Sequence, residues 1–321
     1  MNPFTAGEDV ERSVREWVFA ERLQELVAIF GERIPATGTR AALAWLDEFS
    51  LRRWDFRGGR ERSAMRHHEF TFAESAAIMA TMPDLGLSGR ITPSRSSYDR
   101  ILILGGGAPA CLTRPAYAAS LIAGGLTAGG VAVLGSDRPL REREAAFLAE
   151  ERTFFPHVNG AAAVTEADAI ELGARAAFGD GLPIEVVCAQ HQAGGGGQGG
   201  RGAEGGRGAE GGRGGLRKGR ANTADTYVAW RAADPADLDS VLIVTTDIYV
   251  PFQHFDAVRK IGLALGCSVE TVGVPAGYEL PTGYRVRFTL THYLQEVRSA
   301  IRSLRRLLAA VDGDVAMADS R

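Results

Sequence analysis

Four short runs in this 321-residue chain place hydrogen-bonding or titratable side chains where the backbone could put them to chemical use. The first, Gly105-Gly106-Gly107-Ala108-Pro109-Ala110, satisfies G-x-G-x-x-A between an apolar run and a helical stretch. Glycines there let amides approach a phosphate, and a helix N-terminus adds partial positive charge. Pro109 removes one amide from that cradle. Asp137 lies about 27 residues beyond Ala110, farther than the ribose-binding acid of a dinucleotide fold. The run therefore suits a general nucleotide or phosphate loop better than a nicotinamide site, and a tight strand-to-helix turn would need the same glycines. The second group is Ser136, Arg138 and, on the helix after the glycines, Arg114. Two converging guanidinium forks would clamp a diester or pyrophosphate; pairing with Glu142 or Glu144 is the structural alternative.

The third run, Arg220 to Tyr227, offers Asn222 or Thr223 as a helix cap with Asp225 in the first turn. The fourth, Thr245-Thr246-Asp247-Ile248-Tyr249-Val250-Pro251-Phe252-Gln253-His254, follows an apolar run. Asp247 or Asp225 is the expected general base and His254 the expected general acid, although a capping or core histidine explains His254 as well. The expected ligand-binding set is Gly105, Gly106, Gly107, Ala108, Arg114, Ser136, Arg138, Asn222, Thr223, Thr245, Thr246 and Tyr249. Cys111, at a helix start, is a candidate low-pKa nucleophile or a buried small side chain. No G-x-S-x-G, H-E-x-x-H or Walker A run occurs, and His67-His68-Glu69 lacks the spacing of a helical metal pair, so no metal is expected.

The elements that must position these groups alternate. Strands are expected at Ile101–Leu104, Val131–Gly135, Ile184–Cys188, Val241–Thr246 and Ser268–Gly273. Helices are expected over Leu112–Ala123, Leu140–Glu151, Thr165–Phe178, from Asn222, over His254–Leu265 and over Thr291–Leu308. In the last, Leu294, Val297, Ile301, Leu304 and Leu308 make one apolar face. Continuous apolar strands between helices predict right-handed βαβ units and a three-layer, Rossmann-like parallel sheet of the α/β class. Ligands of such sheets bind outside the carboxyl ends of the strands, which nominates the glycine loop, residues 135–138 and residues 245–254.

Residues 1–97 read as a helical N-terminal extension. Val10, Val14, Trp17 and Val18, then Phe19, Leu23, Leu26, Val27 and Phe30, suggest one helix ended by Gly31 and Pro35, and a second fits Arg40–Phe49. Six arginines between Arg52 and Arg66 (52, 53, 57, 60, 62 and 66) are interleaved with Trp54 and Phe56. They are an anion or nucleic-acid patch, or a solvated loop paired with Asp55, Glu61 and Glu69. Residues 98–311 form the α/β domain. Within it, residues 194–219 repeat Gly-Gly-Arg-Gly-Ala-Glu and are expected to be a disordered Gly/Arg-rich loop, as is a tail over 312–321. The arginines could touch RNA, but Glu204 and Glu210 offset them and no aromatic is interleaved. Net charge of -3 gives no global field for nucleic acid or membrane. Three scattered cysteines and the lack of a signal-like or 18-residue apolar segment point to a reduced, cytoplasmic protein.

Taken in order, the glycine loop, Glu144-Ala145 after the second strand, the Asn/Thr helix start and Val-Thr-Thr before a proline resemble the domain of unknown function family 218 (the SanA-, ElyC- and YdcF-like group). Ala-Asn-Thr-Ala-Asp-Thr-Tyr and Thr-Thr-Asp-Ile-Tyr-Val-Pro-Phe-Gln-His resemble an uncharacterised actinobacterial branch. The likeness spans Tyr98 to Leu308. It implies a three-layer fold, a nucleotide-type or phosphate-bearing small ligand and, for some members, an envelope role. Asn222 and Asp225 stand near the family's acid–asparagine pair, whereas Tyr249 and Phe252 stand where it carries a histidine and an arginine. The resulting expectation is a protein that binds a nucleotide, S-adenosylmethionine or a phosphorylated small molecule, as a hydrolase or transferase. The alternative is a non-catalytic regulatory or protein-interaction module, followed by an RNA-associated protein.

Overall fold

The computed structural model describes residues 4–5, 9–58, 68–89, 92–153, 162–179, 182–190, 223–233, 237–281 and 283–313. The Gly/Arg tract, Asn222, Arg60, Arg62, Arg66, His67 and the tail from 314 lie outside them.

Four helices come first: α1 (Val10–Val18), α2 (Glu21–Ile29), α3 (Thr39–Trp54) and α4 (Phe72–Thr81). The single helix expected over residues 10–30 is two. A continuous helix would carry Glu21 and Arg22 onto the face that buries Val14 and Val18. A break at Phe19–Ala20, where Ala20 is extended at φ −55° and ψ 137°, rephases the stripe so that Leu23, Leu26 and Val27 are buried instead.

Beside a short parallel pair, Ser97–Tyr98 with Thr127–Ala128, the described residues form five longer strands with helices between them. They are β1 (Arg100–Leu104), β2 (Val131–Ser136), β3 (Ile184–Ala189), β4 (Ser240–Thr246) and β5 (Ser268–Val274). All pair in parallel in the order β3-β2-β1-β4-β5. The central strands lie under helices on both sides, which is why they read as unbroken apolar runs. One face holds α5 (Ala108–Ala123), α6 (Glu142–Arg152) and α7 (Glu166–Phe178), packed on Ile101, Ile103, Val131, Val133, Leu242 and Val244. The other holds α8 (Thr223–Ala233), α9 (Val250–Ala257) and α10 (Leu290–Val311), packed on Leu102, Leu104, Ala132, Leu134, Val241 and Ile243. This is the three-layer α/β architecture with an N-terminal helical extension. Among the described residues no helix is long and apolar enough to cross a membrane.

Helix α5 starts at Ala108, four residues before the expected Leu112, because Pro109 in a first turn forfeits no helical hydrogen bond. Pro115, inside α5, cannot donate to the Cys111 carbonyl. Gly173 of α7 packs against that same carbonyl, with no room for a Cβ between the helices. Helix α9 also starts early, at Val250 rather than His254, and passes into a π turn at Val258–Gly262.

The N-terminal helices share one apolar core with α8, α9 and α10. Ion pairs close the seam between α3 and α10. Arg298 and Arg305 both reach Asp47, Arg57 meets Glu296 at 2.5 Å, and Arg40 meets Asp312 at 2.6 Å. Phe4 pairs antiparallel with Val269, covering the outer edge of β5.

Candidate functional site

Strand order reverses between β1 and β4, so the crevice of this fold opens above Leu104 and Thr246. Three helix N-termini, those of α5, α6 and α7, converge beside it, each bringing partial positive charge to the carboxyl ends of β1 and β2. Such a place is built for an anion. The chain supplies two of its own.

Glu144, third residue of α6, accepts from the Arg141 amide at 3.0 Å and from the Ala108 amide at 3.3 Å, the amide that opens α5. Glu166, first residue of α7, accepts from the Ser136 hydroxyl at 3.1 Å. It also lies so close to Gly105 that a Cβ there would sit 2.5 Å from its Oε1 and 2.8 Å from the Leu134 carbonyl. Arg138 bridges the pair. Its Nε donates to Glu166 at 3.0 Å, Nη1 to Glu144 at 2.7 Å and the Pro139 carbonyl at 3.3 Å, and Nη2 to Glu144 at 3.1 Å and the Gly106 carbonyl at 2.9 Å. A guanidinium has five N–H bonds, and these contacts use them all. Burial alone would raise the Glu144 pKa; Arg138 and the two amides outweigh it and hold the carboxylate below its ordinary range. The pairing anticipated between Arg138 and Glu144 is present, and Glu166 completes it.

Arg114 fills the crevice from beneath. It is 2% exposed and donates to the carbonyls of Leu104, at 2.8 Å, and Gly105, and to the Thr246 hydroxyl at 3.1 Å. It thereby ties β1 to β4, with its charge 5.8 Å from the centre of the Tyr249 ring. Tyr249 is buried against Phe252 and Phe288. Thr245 bonds the Gln253 side chain of α9. Gly105, Gly106, Arg114, Ser136, Arg138 and Thr246 thus lie around one crevice, bonded to the chain's own backbone, to Glu144 and Glu166 and to one another.

Asp247 follows β4 and is fully buried. Its oxygens accept the Ile248 amide at 2.7 Å and the Ala276 amide at 2.9 Å. Burial pushes its pKa up to about 6, and those two bonds only partly offset the effect. Gly273 on β5 leaves the backbone space this turn needs, since a Cβ there would meet the Asp247 amide nitrogen at 2.5 Å. Asp247 has the pKa of an acid–base group without contact with solvent.

His254, the expected general acid, is instead a core histidine. Its ring is buried between α9 and β5, bonds Thr271 at 3.1 Å and is driven by burial to a pKa of about 3, so it holds no proton to give near neutrality. Burial likewise raises the Cys111 thiol to about 12, which makes it a small core side chain and not a nucleophile. Asp225 stands exposed in the first turn of α8, which begins at Thr223. Asn222 lies outside the described residues. Among the described residues no three His, Cys, Asp or Glu side chains are grouped to hold a metal.

The residues that sequence reasoning missed as a site are Glu144 and Glu166. Each carried a signal, an acid in the first turn of a helix beginning at the carboxyl side of a strand. That signal ordinarily means only a favourable dipole contact.

A family profile described as the Rv3785 N-terminal domain matches residues 2–86, the helical layer. Over nearly the full length, the chain is similar to the uncharacterized proteins Rv3785 and MT3893 of Mycobacterium tuberculosis and Mb3814 of Mycobacterium bovis. Each is 28% identical across 98% of this chain and 95% of the relative. No solved structure matches the chain.

Proposed function

We propose that the protein is a non-catalytic binding or regulatory module whose α/β body serves as a rigid scaffold and whose nucleotide position is closed by its own carboxylates. The observation that carries this reading is Glu144 on the first amide of α5, with Arg138 saturated behind it. A phosphate entering there must displace a carboxylate held by two backbone amides and a bidentate arginine. It must then face Glu166, which stays within 3.0 Å of the same arginine.

The test is a thermal-shift screen against nucleotides, S-adenosylmethionine, sugar nucleotides and polyprenyl phosphates, using the wild type and Gly107→Ala. A Cβ at Gly107 lies 3.7 Å from Glu144 and 3.9 Å from Pro109, and its backbone is ordinary, so the variant keeps the fold while obstructing an incoming phosphate. No saturable shift in either protein is expected. A ligand at 100 times its Kd would stabilise the fold by about 2.7 kcal/mol. A shift of that kind in the wild type, abolished by Gly107→Ala, would overturn the proposal.

A second reading rests on Asp247, whose pKa near 6 suits proton transfer. In it, a nucleotide or phosphorylated small molecule displaces Glu144, and Asp247 serves as base in hydrolysis or group transfer. The likeness of residues 98–308 to the domain of unknown function family 218 is in keeping with it. Turnover lost in Asp247→Asn with ligand binding retained would establish this reading in place of the first.

A further inference from the structure

The helical layer holds a cavity of about 360 Å³ lined by Phe30, Arg52, Arg53, Asp55, Phe56, His68 and Phe70. An engineered cavity of ~150 Å³ accommodates benzene, and ligand sites begin near ~300 Å³, so this one accommodates a fused or substituted ring. Its aromatic wall is fixed from behind. Phe30 packs edge-on against Phe70 at 6.5 Å, against the buried Trp54 at 5.7 Å and against the buried Phe49 at 6.3 Å. His68 sits on Phe70 at 4.5 Å and reaches Phe56 at 6.3 Å.

The polar rim is basic in function, although its formal charges nearly cancel. Asp55 is engaged locally, accepting the Gly58 amide at 3.1 Å. Arg52 and Arg53 share a single carboxylate, Glu32, through contacts of 3.3 and 3.4 Å, and their side chains are 53% and 49% exposed. Most of their N–H bonds have no protein acceptor among the described residues, the reverse of Arg138. Two adjacent guanidinium forks beside a concave aromatic wall match a planar apolar body carrying a carboxylate or phosphate.

We infer that this cavity is a binding site for a small aromatic anion, an aryl carboxylate or aryl phosphate, with its ring against Phe30, Phe56 and Phe70 and its charged head on Arg52 and Arg53. The site lies in the helical layer, apart from the sheet crevice, so it stands or falls independently of the closed nucleotide position.

Isothermal titration of the full-length protein with 2-naphthoate and with phenyl phosphate tests it. One saturable site is expected. Arg52→Ala/Arg53→Ala weakens it at least tenfold, and the neutral 2-naphthamide binds at least tenfold more weakly than the acid. Glu32→Gln releases both guanidiniums and tightens binding severalfold, a gain that a damaged fold would not produce. Circular dichroism confirms that each variant stays folded; exposed positions of this kind change stability little. Absence of saturable heat up to millimolar anion, equal affinity in the double variant, or equal affinity for the amide would overturn the assignment. So would oligo(dT) that binds more tightly than 2-naphthoate and displaces it.

Discussion

Replacing Arg138 by methionine is the sharpest perturbation of the carboxylate-filled crevice. The substitution keeps much of the aliphatic stem and removes all five donated hydrogen bonds, leaving Glu144 and Glu166 facing one another with side chains only 13% and 12% exposed. Breaking a buried ion cluster by removing one partner costs about 3–5 kcal/mol, because the surviving charges remain uncompensated. For an α/β unit of this size that lowers Tm by roughly 10 °C. The cost has a sign in pH. In the wild type, Glu144 titrates below its ordinary value, so its stabilising contribution is present above the unfolded pKa and disappears as pH falls through the folded one. In the variant Glu144 loses its counter-charge and faces a second carboxylate, and protonating it relieves the repulsion. The gap between the two proteins, measured by urea unfolding, should therefore be widest near pH 7 and narrow toward pH 5. Adding Glu144→Gln and Glu166→Gln should recover part of the loss at pH 7. A penalty below about 1 kcal/mol that does not change with pH would refute the claim that this cluster holds the crevice shut.

Three further outcomes follow from the packing and the buried titrating groups. Gly173→Ala should destabilise by at least about 1–3 kcal/mol in chemical denaturation. The α5 backbone at Cys111 blocks its Cβ, although helix propensity alone would favour alanine by ~1 kcal/mol; a stabilised variant would show that the helices separate freely. Carbon-detected NMR of Asp247 should give a midpoint near 6. Because that value lies above the ordinary 3.8, the neutral acid is favoured in the native state below pH 6, and about 3 kcal/mol of stability is lost as pH rises from about 4 to about 6, at about 1.36 kcal/mol per pH unit. A midpoint near 4 would contradict its burial. The His254 ring should stay neutral down to roughly pH 4 in nitrogen-edited spectra, and a midpoint near the ordinary 6.5 would place it in solvent.

The main sheet is readable because its buried parallel strands are mostly apolar: its five strands begin and end within about one residue of expectation, whereas the two-residue strands Ser97–Tyr98 and Thr127–Ala128 carry no such run. Helix starts were harder. Pro109 and Pro251 look like breaks, yet both sit in first turns, where a missing N–H is harmless. The crevice was half legible. Residue type singles out the glycines, Ser136, Arg114 and Arg138, but their partners come from elsewhere in the chain: Glu166 lies 28 residues from Arg138, Glu144 lies 36 from Ala108 and Thr246 lies 132 from Arg114. No local pattern states that an acid in one helix cap will reach the first turn of another helix. The same limit leaves the acid and core readings of His254 both open in the sequence, because its partner Thr271 belongs to the next strand.

The seam between α3 and α10 has a consequence for synthesis. Arg298, Arg305, Glu296 and Asp312 meet partners 251, 258, 239 and 272 residues earlier in the chain. A ribosome delivers the N-terminal end first, at about 5–20 residues per second. Helices α1 to α4 therefore emerge long before the surface that completes their core, and must wait through the synthesis of the whole sheet. Contacts of such sequence separation slow folding and leave apolar stripes uncovered meanwhile. A fragment ending at residue 86 would carry the Phe30–Trp54 cluster but none of α10, so the helical layer should mature only as a late docking event, after the strands are in place.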